Sequence, residues 1–163
     1  MSWEIFPAHL FYEKKEMRIL ADNAKLIWDY FTSKGFSKEG IAGIMGNLYA
    51  ESGLKSNNLQ DAYNKILKMT DEQYTEAVDK NTYKKFTSDG AGYGIAQWTY
   101  SSLKKELYDL CKSKSTSISD IDSQLECLYN QLNRKGLLDK IKNATSIEEA
   151  SDIFLTQFEK PQD

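Results

Sequence analysis

A glutamate at the end of an apolar helical segment is the first residue of this sequence that could do chemistry. Residues 46–54 read GNLYAESGL, and Gly53 predicts that the helix ends just after Glu51. At about 100° per residue, Glu51 projects from the edge of an apolar side. That side consists of Ile41, Ile44, Met45 and Leu48. Because burial and the negative end of the helix dipole disfavour a charged carboxylate, we expect a raised pKa and a general acid. A solvated helix end is the simpler alternative.

Three glycines in the same segment call for a structural explanation. Gly40, Gly43 and Gly46 recur at a spacing of three, and each lowers helix propensity by up to ~1 kcal/mol against alanine. We expect another helix to pack closely on this face and to fix the Glu51 end in place.

A second stretch, DGAGYGIAQW at residues 89–98, combines glycines with aromatic and amide side chains. Its core is G-x-G-x-x-Q, and no strand–turn–helix frame surrounds it, so a dinucleotide loop is not expected. Aromatic faces suit stacking on sugar rings, and a glutamine can both donate and accept hydrogen bonds. A turn whose aromatics fill the core is the alternative. The candidate substrate-binding residues are Tyr49, Tyr93, Gly94, Gln97 and Trp98.

Together these stretches resemble a known family, the phage tail lysozyme domain, a relative of goose-type lysozymes and lytic transglycosylases. The resemblance rests on ESGL (51–54) and GYGIAQW (92–98), and on the wider run NAKLIWDYFTSKGFSKEGIAGIMGNLYAESG (23–53), NLQD (58–61) and FEKP (158–161). It covers about residues 22–161. In the relatives, a glutamate ends a helix in an E-S context, and a glycine-bearing segment ending in Gln lines the cleft. One departure is an arginine that often follows Q-W-T; here Lys104 or Lys105 would replace it.

The resemblance implies cleavage of the β-1,4 glycosidic bond between N-acetylmuramic acid and N-acetylglucosamine in peptidoglycan, with Glu51 as general acid. Glycosidases usually need a second carboxylate. Asp89 is the first candidate, because it adjoins the glycine segment, and Asp61 in NLQD is the second. Lytic transglycosylases need none, because the muramic acid 6-hydroxyl attacks internally, so hydrolysis and transglycosylation stay open. Glu159 in FEKP is interpreted as a structural ion-pair residue.

Three other functions stay open beside these: a conjugation-associated wall hydrolase, a glycan-binding domain without catalysis, and a structural tail module. The expected partner is the peptidoglycan glycan strand, with no cofactor and no metal. We expect a monomeric domain, or one held in a phage tail assembly. It would act on the extracellular wall from the virion or after release at lysis.

Composition narrows the classes of function. The chain has 163 residues, a net charge of -3 and a pI near 5.3, which argues against a general nucleic-acid binder. No apolar run approaches the roughly 20 residues of a membrane span, and the N-terminus lacks the features of a secretory signal. A single histidine, His9, excludes a His-based zinc site and a Ser-His-Asp triad. Cys111 and Cys127 are expected to be buried thiols, with a disulfide left open.

The elements that position these residues are predicted to be helical. Proline occurs only at positions 7 and 161, which favours an all-α, lysozyme-like domain of six or seven helices. An irregular or β-hairpin insert is expected around 81–98. We divide the chain into an N-terminal extension (1–21) and a catalytic domain (22–163), and we expect this domain to be part of a longer protein. Helices are predicted from Asp22 to Gly35, after Ser37, at 71–80, 101–112 and 119–136, and from a capping box at 145–148 to Pro161.

Overall fold

The computed structural model describes residues 8–159, with side chains from Tyr12 onward. Within this range the chain forms eight α-helices and no strand, so the all-α prediction is confirmed. The helices are α1 (Ala8–Ser33), α2 (Lys38–Ser52), α3 (Asp61–Leu67), α4 (Asp71–Asp79), α5 (Ser101–Ser113), α6 (Ile121–Arg134), α7 (Leu138–Lys142) and α8 (Ile147–Ile153). A π-helical turn, Phe154–Phe158, continues α8. The predicted stop at Pro161 lies outside the described residues.

Helix α1 is longer than the sequence pattern predicted. It is already helical at Ala8, well before Asp22, because residues 8–22 contain neither Gly nor Pro to interrupt it. It ends at Ser33, and Gly35 follows in the left-handed region with φ +79°. Ile27 and Phe31 are fully buried in the core. The boundary proposed at residue 22 therefore falls inside a continuous helix.

Helix α2 carries Glu51 in its last turn and matches its prediction closely. The Ser37 hydroxyl caps it by accepting a hydrogen bond from the Gly40 N–H at 3.0 Å. Its apolar side is buried, with at most 1% exposure at Ile41, Ile44 and Leu48. Gly53, with φ +61°, ends the helix and donates its N–H to the Tyr49 carbonyl at 2.8 Å.

Two of the three α2 glycines allow other helices to approach closely. A Cβ on Gly43 would lie 2.5 Å from the Ala150 Cβ and 2.7 Å from the Ser151 nitrogen of α8, and a Cβ on Gly40 would overlap the Ile141 carbonyl of α7. Gly46 has nothing within 4 Å of such a Cβ. The predicted close approach is therefore confirmed for the first two glycines and is wrong for the third.

A side-chain amide holds α8 in this position. Asn47 is buried, and its Nδ2 donates to the Gly43 carbonyl at 3.0 Å and to the Ser151 carbonyl at 3.2 Å. The first bond stays within α2 and the second crosses to α8. The location of the π turn that follows α8 is thus fixed by small residues and an amide on the helix that carries Glu51.

The segment between α4 and α5 is irregular. Its only ladder-like features among the described residues are two isolated antiparallel bridges, Leu59 with Tyr93 and Tyr93 with Trp98. The irregular alternative for 81–98 therefore holds, and a β-hairpin does not form. The capping box at the start of α4 is present, because the Thr70 hydroxyl and the Gln73 side chain each accept from the other residue's N–H.

The second capping box is displaced by one residue. Ser146 caps α8 by accepting from the Glu149 N–H at 3.1 Å, while the Glu149 carboxylate accepts from the Thr145 N–H. Helix α6 likewise starts later than predicted, with Asp120 as its cap. Helices α3 and α7, of seven and five residues, were not predicted.

The two cysteines lie in the core on α5 and α6. Both are free thiols and buried, and burial raises the pKa of Cys111 to about 11 and of Cys127 to about 12. None of the described helices combines the length and the apolarity that a bilayer crossing requires.

Candidate active site

A cleft runs past the C-terminal end of α2. It consists of two pockets of about 290 Å³ and about 460 Å³ that share Glu51, Gln97 and Thr99. The first is also lined by Ala96, Trp98, Tyr100, Leu103, Phe158 and Glu159. The second is also lined by Asn58, Gln60, Asp61, Ala62 and Gly92. Glu51 thus lies where the two halves of the cleft meet. Taken together, the two pockets have the size of a typical ligand site.

Ser52 joins the Glu51 helix to the glycine-bearing segment. Its buried hydroxyl lies 2.9 Å from the Leu48 carbonyl of its own helix and donates to the Ile95 carbonyl at 2.8 Å. The second contact spans 43 residues of sequence. The serine after Glu51 therefore holds the glycine segment against the end of α2 and sets where Gln97 lies relative to the carboxyl.

The NLQD run forms the other support of the glycine segment. The Gln60 Oε1 accepts from the Gly92 N–H at 3.0 Å, and the Gln60 N–H donates to the Gly92 carbonyl at 2.8 Å. The Asn58 carbonyl accepts from the Gly94 N–H at 3.0 Å. Through these contacts the NLQD run packs against the glycine segment, and Asp61 and Gln97 line the same pocket.

Gln97 has a strained backbone that its own side chain supports. Its φ is +47°, in the left-handed region. Its Nε2 donates to the Asn58 carbonyl at 2.9 Å and to the Gly94 carbonyl at 3.1 Å. Residues held in this region cost about 1–3 kcal/mol and concentrate at functional sites. The carbamoyl group is therefore fixed in the cleft wall beside Glu51.

Glu159 closes the far end of the first pocket. It follows the π turn, whose Phe154 and Phe158 rings are tilted by 36° with centroids 4.8 Å apart, and both rings are buried. Burial, followed by the charge of Glu51, raises the pKa of Glu159 to about 7. Its Oε1 is buried without a hydrogen-bond partner among the described residues. The ion pair expected for this residue is absent from that part of the chain.

The cleft combines a helix-terminal glutamate, a glycine-bearing wall ending in glutamine and a polar groove between them. A family model described as phage tail lysozyme matches residues 22–163. This chain belongs to the phage tail lysozyme family. The membership confirms the resemblance found in the sequence, and it makes the domain a peptidoglycan-cleaving lytic enzyme whose substrate is the bacterial wall.

The aromatic side chains predicted to stack on sugar rings occupy the core of the phage tail lysozyme domain instead. Tyr93 is fully buried, and its hydroxyl lies 2.6 Å from the Thr75 hydroxyl. Trp98 is 2% exposed and donates its Nε1–H to Gln131 at 2.8 Å, so only its edge reaches the cleft. Tyr49 is 59% exposed but does not line either pocket. For Tyr93 and Trp98, the structure therefore agrees with the alternative interpretation of a turn whose aromatic side chains fill the core.

Gly94 is a glycine because a side chain at this position would collide with its neighbours. With φ +80°, a Cβ there would lie 2.9 Å from the Gln124 Oε1 and 3.0 Å from the Trp98 ring. Gln124, from α6, accepts from the Ile95 N–H at 2.9 Å. Gly94 therefore allows the α6 amide to anchor the segment from behind, while Gln97 faces the cleft.

Asp89 belongs to a buried network outside the cleft. Its Oδ1 is 2.7 Å from the Lys104 ammonium, and its Oδ2 accepts from the Tyr74 and Tyr83 hydroxyls at 2.6 and 3.0 Å. The side chains of Asp89 and Lys104 are 5% and 0% exposed, and burial lowers the pKa of Lys104. Lys104 also donates to the Ala91 carbonyl at 2.7 Å. Lys104 thus forms a structural ion pair with Asp89.

Asp61, the second carboxylate candidate, does lie in the cleft. It is exposed at the start of α3 and lines the same pocket as Glu51 and Gln97. Glu51 itself is exposed at the mouth, not buried against the apolar side of α2 as we expected. The structure therefore brings Asp61 and Glu159 toward Glu51 from opposite ends of the cleft.

Several cleft residues were missed or undervalued by sequence reasoning. Tyr100, 42% exposed, lines the first pocket, and Asn58 and Gln60 line the second. The NLQD and FEKP runs were the available signals for the two amides and for Glu159. Among residues 8–159, no group of three or more His, Cys, Asp or Glu side chains is placed to hold a metal ion.

Proposed function

We propose that this domain cleaves the β-1,4 bond between N-acetylmuramic acid and N-acetylglucosamine, with Glu51 as the general acid. The observation that carries the proposal is the position of Glu51 at the junction of both halves of the cleft, in the same two pockets as Gln97. An extended glycan could then place one sugar on each side of the carboxyl, as cleavage of an internal bond requires.

In the proposed reaction, the bond between the anomeric carbon of muramic acid and the glucosamine oxygen breaks. Glu51 transfers its proton to that oxygen as the bond ionises. In hydrolysis, the oxygen of a water molecule forms the new bond to the anomeric carbon and gives its proton to a carboxylate. In transglycosylation, the muramic acid 6-hydroxyl takes the place of water.

For hydrolysis, we propose Asp61 as the carboxylate that accepts the proton of water. Asp61 shares a pocket with Glu51 and is exposed, whereas Asp89 accepts four hydrogen bonds in a buried network. Asp61→Asn should lower the turnover number at least about tenfold without loss of stability, since general base catalysis contributes about 10²–10⁴-fold. Unchanged turnover would exclude Asp61.

Product mass separates hydrolysis from transglycosylation. Muramic acid products of hydrolysis carry a reducing end, and they are heavier than anhydro products by one water. We expect reducing-end products from digested walls. Anhydro products would show that the 6-hydroxyl, not water, attacks the anomeric carbon. Glu51 would still be the proposed acid, but no role would remain for Asp61 as a base.

Glu51→Gln tests the assignment of the acid. The change keeps the shape and removes the transferable proton, so clearing of a wall suspension should slow at least ~10²-fold. Glu39→Gln is a matched control, because Glu39 is exposed in the first turn of the same helix. A Glu51→Gln protein that clears walls at more than about a tenth of the parent rate would exclude Glu51 as the acid.

The family also supports a proposal for where the domain works. We propose that it acts on the extracellular wall as part of a phage tail or after release at lysis. A tail-borne domain should sediment with purified virions, whereas an enzyme released at lysis should not.

A further inference from the structure

The first pocket contains two carboxyl groups with contrasting surroundings. Glu51 is exposed, whereas Glu159 follows a turn with buried rings, and its Oε1 has no hydrogen-bond partner among the described residues. A partly buried carboxyl without donors is poorly solvated when it is ionised. This environment favours the protonated form of Glu159 over the ionised form.

The packing of α8 on α2 is what brings the two groups together. The π turn contacts α2 directly and continues α8, which is held on Gly43 and Asn47 of the Glu51 helix. π-Helical turns are rare and frequently lie at functional sites. The turn here ends at Phe158, and the next residue, Glu159, lines the Glu51 pocket.

Other charged groups near this end of the cleft are already engaged or exposed. The neighbouring pocket contains an Arg134–Glu106 ion pair at 2.7 Å, and the Lys135 ammonium donates to the Phe158 carbonyl at 3.3 Å. Asp152 on α8 is exposed, and Tyr100 contributes a phenol to the pocket wall. Among the described residues, Glu51 is the charged group that raises the pKa of Glu159 through space, after the larger effect of burial.

We propose that Glu51 and Glu159 form an electrostatically interacting carboxyl pair, and that Glu159 is a positioning residue whose charge controls when Glu51 can protonate the leaving oxygen. This inference rests on the proposed role of Glu51. Two carboxylates in one pocket repel each other, so a negative charge on either one disfavours ionisation of the other. The exposed member of the pair delivers the proton, and the buried member makes its loss to solvent unfavourable.

The pair can be tested directly by titration, without reference to activity. Carbon-13 NMR of the Glu159 carboxyl should show a midpoint near pH 7 in the parent protein. In Glu51→Gln, the midpoint should fall by at least about half a unit, because the repelling charge is gone. A parent midpoint near the ordinary value of about 4.3, or a midpoint that Glu51→Gln leaves unchanged, would overturn the pair.

The pH dependence of kcat/KM provides the functional readout. Glu159→Gln should move the alkaline limb of the profile at least about one unit to lower pH, since only one ionising carboxyl then remains in the pocket. Glu148→Gln, on the exposed first turn of α8, should leave the limb within about 0.2 units. A Glu159→Gln enzyme with reduced rate and an unmoved limb would show a merely structural role and contradict the proposal.

The two measurements separate this inference from the proposed function. Coupled titration in a protein whose Glu51→Gln variant remains fully active would overturn the acid assignment but retain the pair. An inactive Glu51→Gln protein in which the midpoint of Glu159 does not move would support the acid assignment and overturn the pair. If Glu159→Gln does not fold, the titration of the parent and Glu51→Gln decides alone.

Discussion

At the residue scale, the buried contact between Asp89 and Lys104 explains how the cleft wall is held from behind. The pair lies beneath the glycine segment, and Lys104 also sits 4.4 Å from the centre of the Phe86 ring. Such a pair costs much to bury, but breaking it by removing one partner is more costly still. The residue that sequence reasoning placed first as a second catalytic group thus has the contacts of a structural one.

Asp89→Asn should therefore act on stability and not on the chemical step. We expect the free energy of unfolding to fall by about 3–5 kcal/mol, because Lys104 loses its counter-charge in a buried site. Urea unfolding would measure the change, and kcat of the folded fraction should stay within about threefold of the parent value. Asp109→Asn is the control, since it breaks an exposed pair with Lys105 that is worth at most about 1 kcal/mol. A large loss of kcat with unchanged stability would restore Asp89 as a catalytic candidate.

Glu159 also makes a prediction about stability and pH. Its pKa is raised from 4.5 to about 7 in the folded protein, first by burial and then by the charge of Glu51. Between these values the folded protein holds a proton that the unfolded chain has released, so stability falls as the pH rises. The contribution of this group is fully present below about pH 4.5 and is lost as the pH rises through about 7.

Glu159→Gln should remove this dependence. As the pH rises from about 5 to about 8, the free energy of unfolding of the parent should fall by on the order of 1–2 kcal/mol more than that of the variant. This figure is reduced to allow for partial solvent access. Urea unfolding of both proteins at the two pH values would measure it. A difference between the proteins that is the same at both pH values would show that Glu159 titrates normally.

At the element scale, the glycines of α2 have distinct roles that a matched pair of substitutions can separate. Gly43→Ala places a Cβ against the backbone of α8 and should destabilise the fold by about 1–3 kcal/mol. Because α8 leads into the π turn, this change should also reduce wall clearing by the folded protein. Gly46→Ala meets nothing and should stabilise α2 by up to about 1 kcal/mol.

Thermal unfolding followed by circular dichroism measures both variants. Opposite signs for Gly43→Ala and Gly46→Ala would confirm that the close approach is confined to the first half of the helix. Equal effects would show that helix propensity, not the contact with α8, governs this face.

The helices that sequence predicted best are those with strong local signals. The Ser37 cap, the buried stripe of α2 and the Gly53 stop all come from residues in contact along one helix. Helices α3 and α7 are too short to show periodicity, and residues 8–22 of α1 contain no signal that marks Asp22 as interior to a helix. The π turn depends on packing of Phe154 and Phe158 that local sequence does not encode.

At the scale of the whole molecule, the cleft is assembled from four distant parts of the chain. Residue 51, residues 58–62, residues 92–103 and residues 158–159 each contribute part of its lining. Motif spacing identified Glu51, Asp61 and Gln97 as members of the site. It did not show which side of the glycine segment faces solvent, because that depends on α6 anchoring the segment through Gln124.

The sequence also could not show that the aromatic side chains of the glycine segment are buried. Tyr93 and Trp98 have the chemistry of sugar-stacking residues, yet Thr75 and Gln131 satisfy their polar ends inside the core. Tyr100, two residues beyond Trp98, is the most exposed of the aromatic side chains that line the first pocket. Exposure is a property of the tertiary fold, and alternation along an irregular segment does not reveal it.

The most direct test of the account is the release of glycan fragments from purified walls by the parent protein and by Glu51→Gln, with fragments quantified by mass spectrometry. The parent should release fragments ending in muramic acid, and Glu51→Gln should release them at least ~10²-fold more slowly, with Glu39→Gln matching the parent. Release by Glu51→Gln at more than about a tenth of the parent rate, or fragments cut at a different bond, would contradict the central role of Glu51.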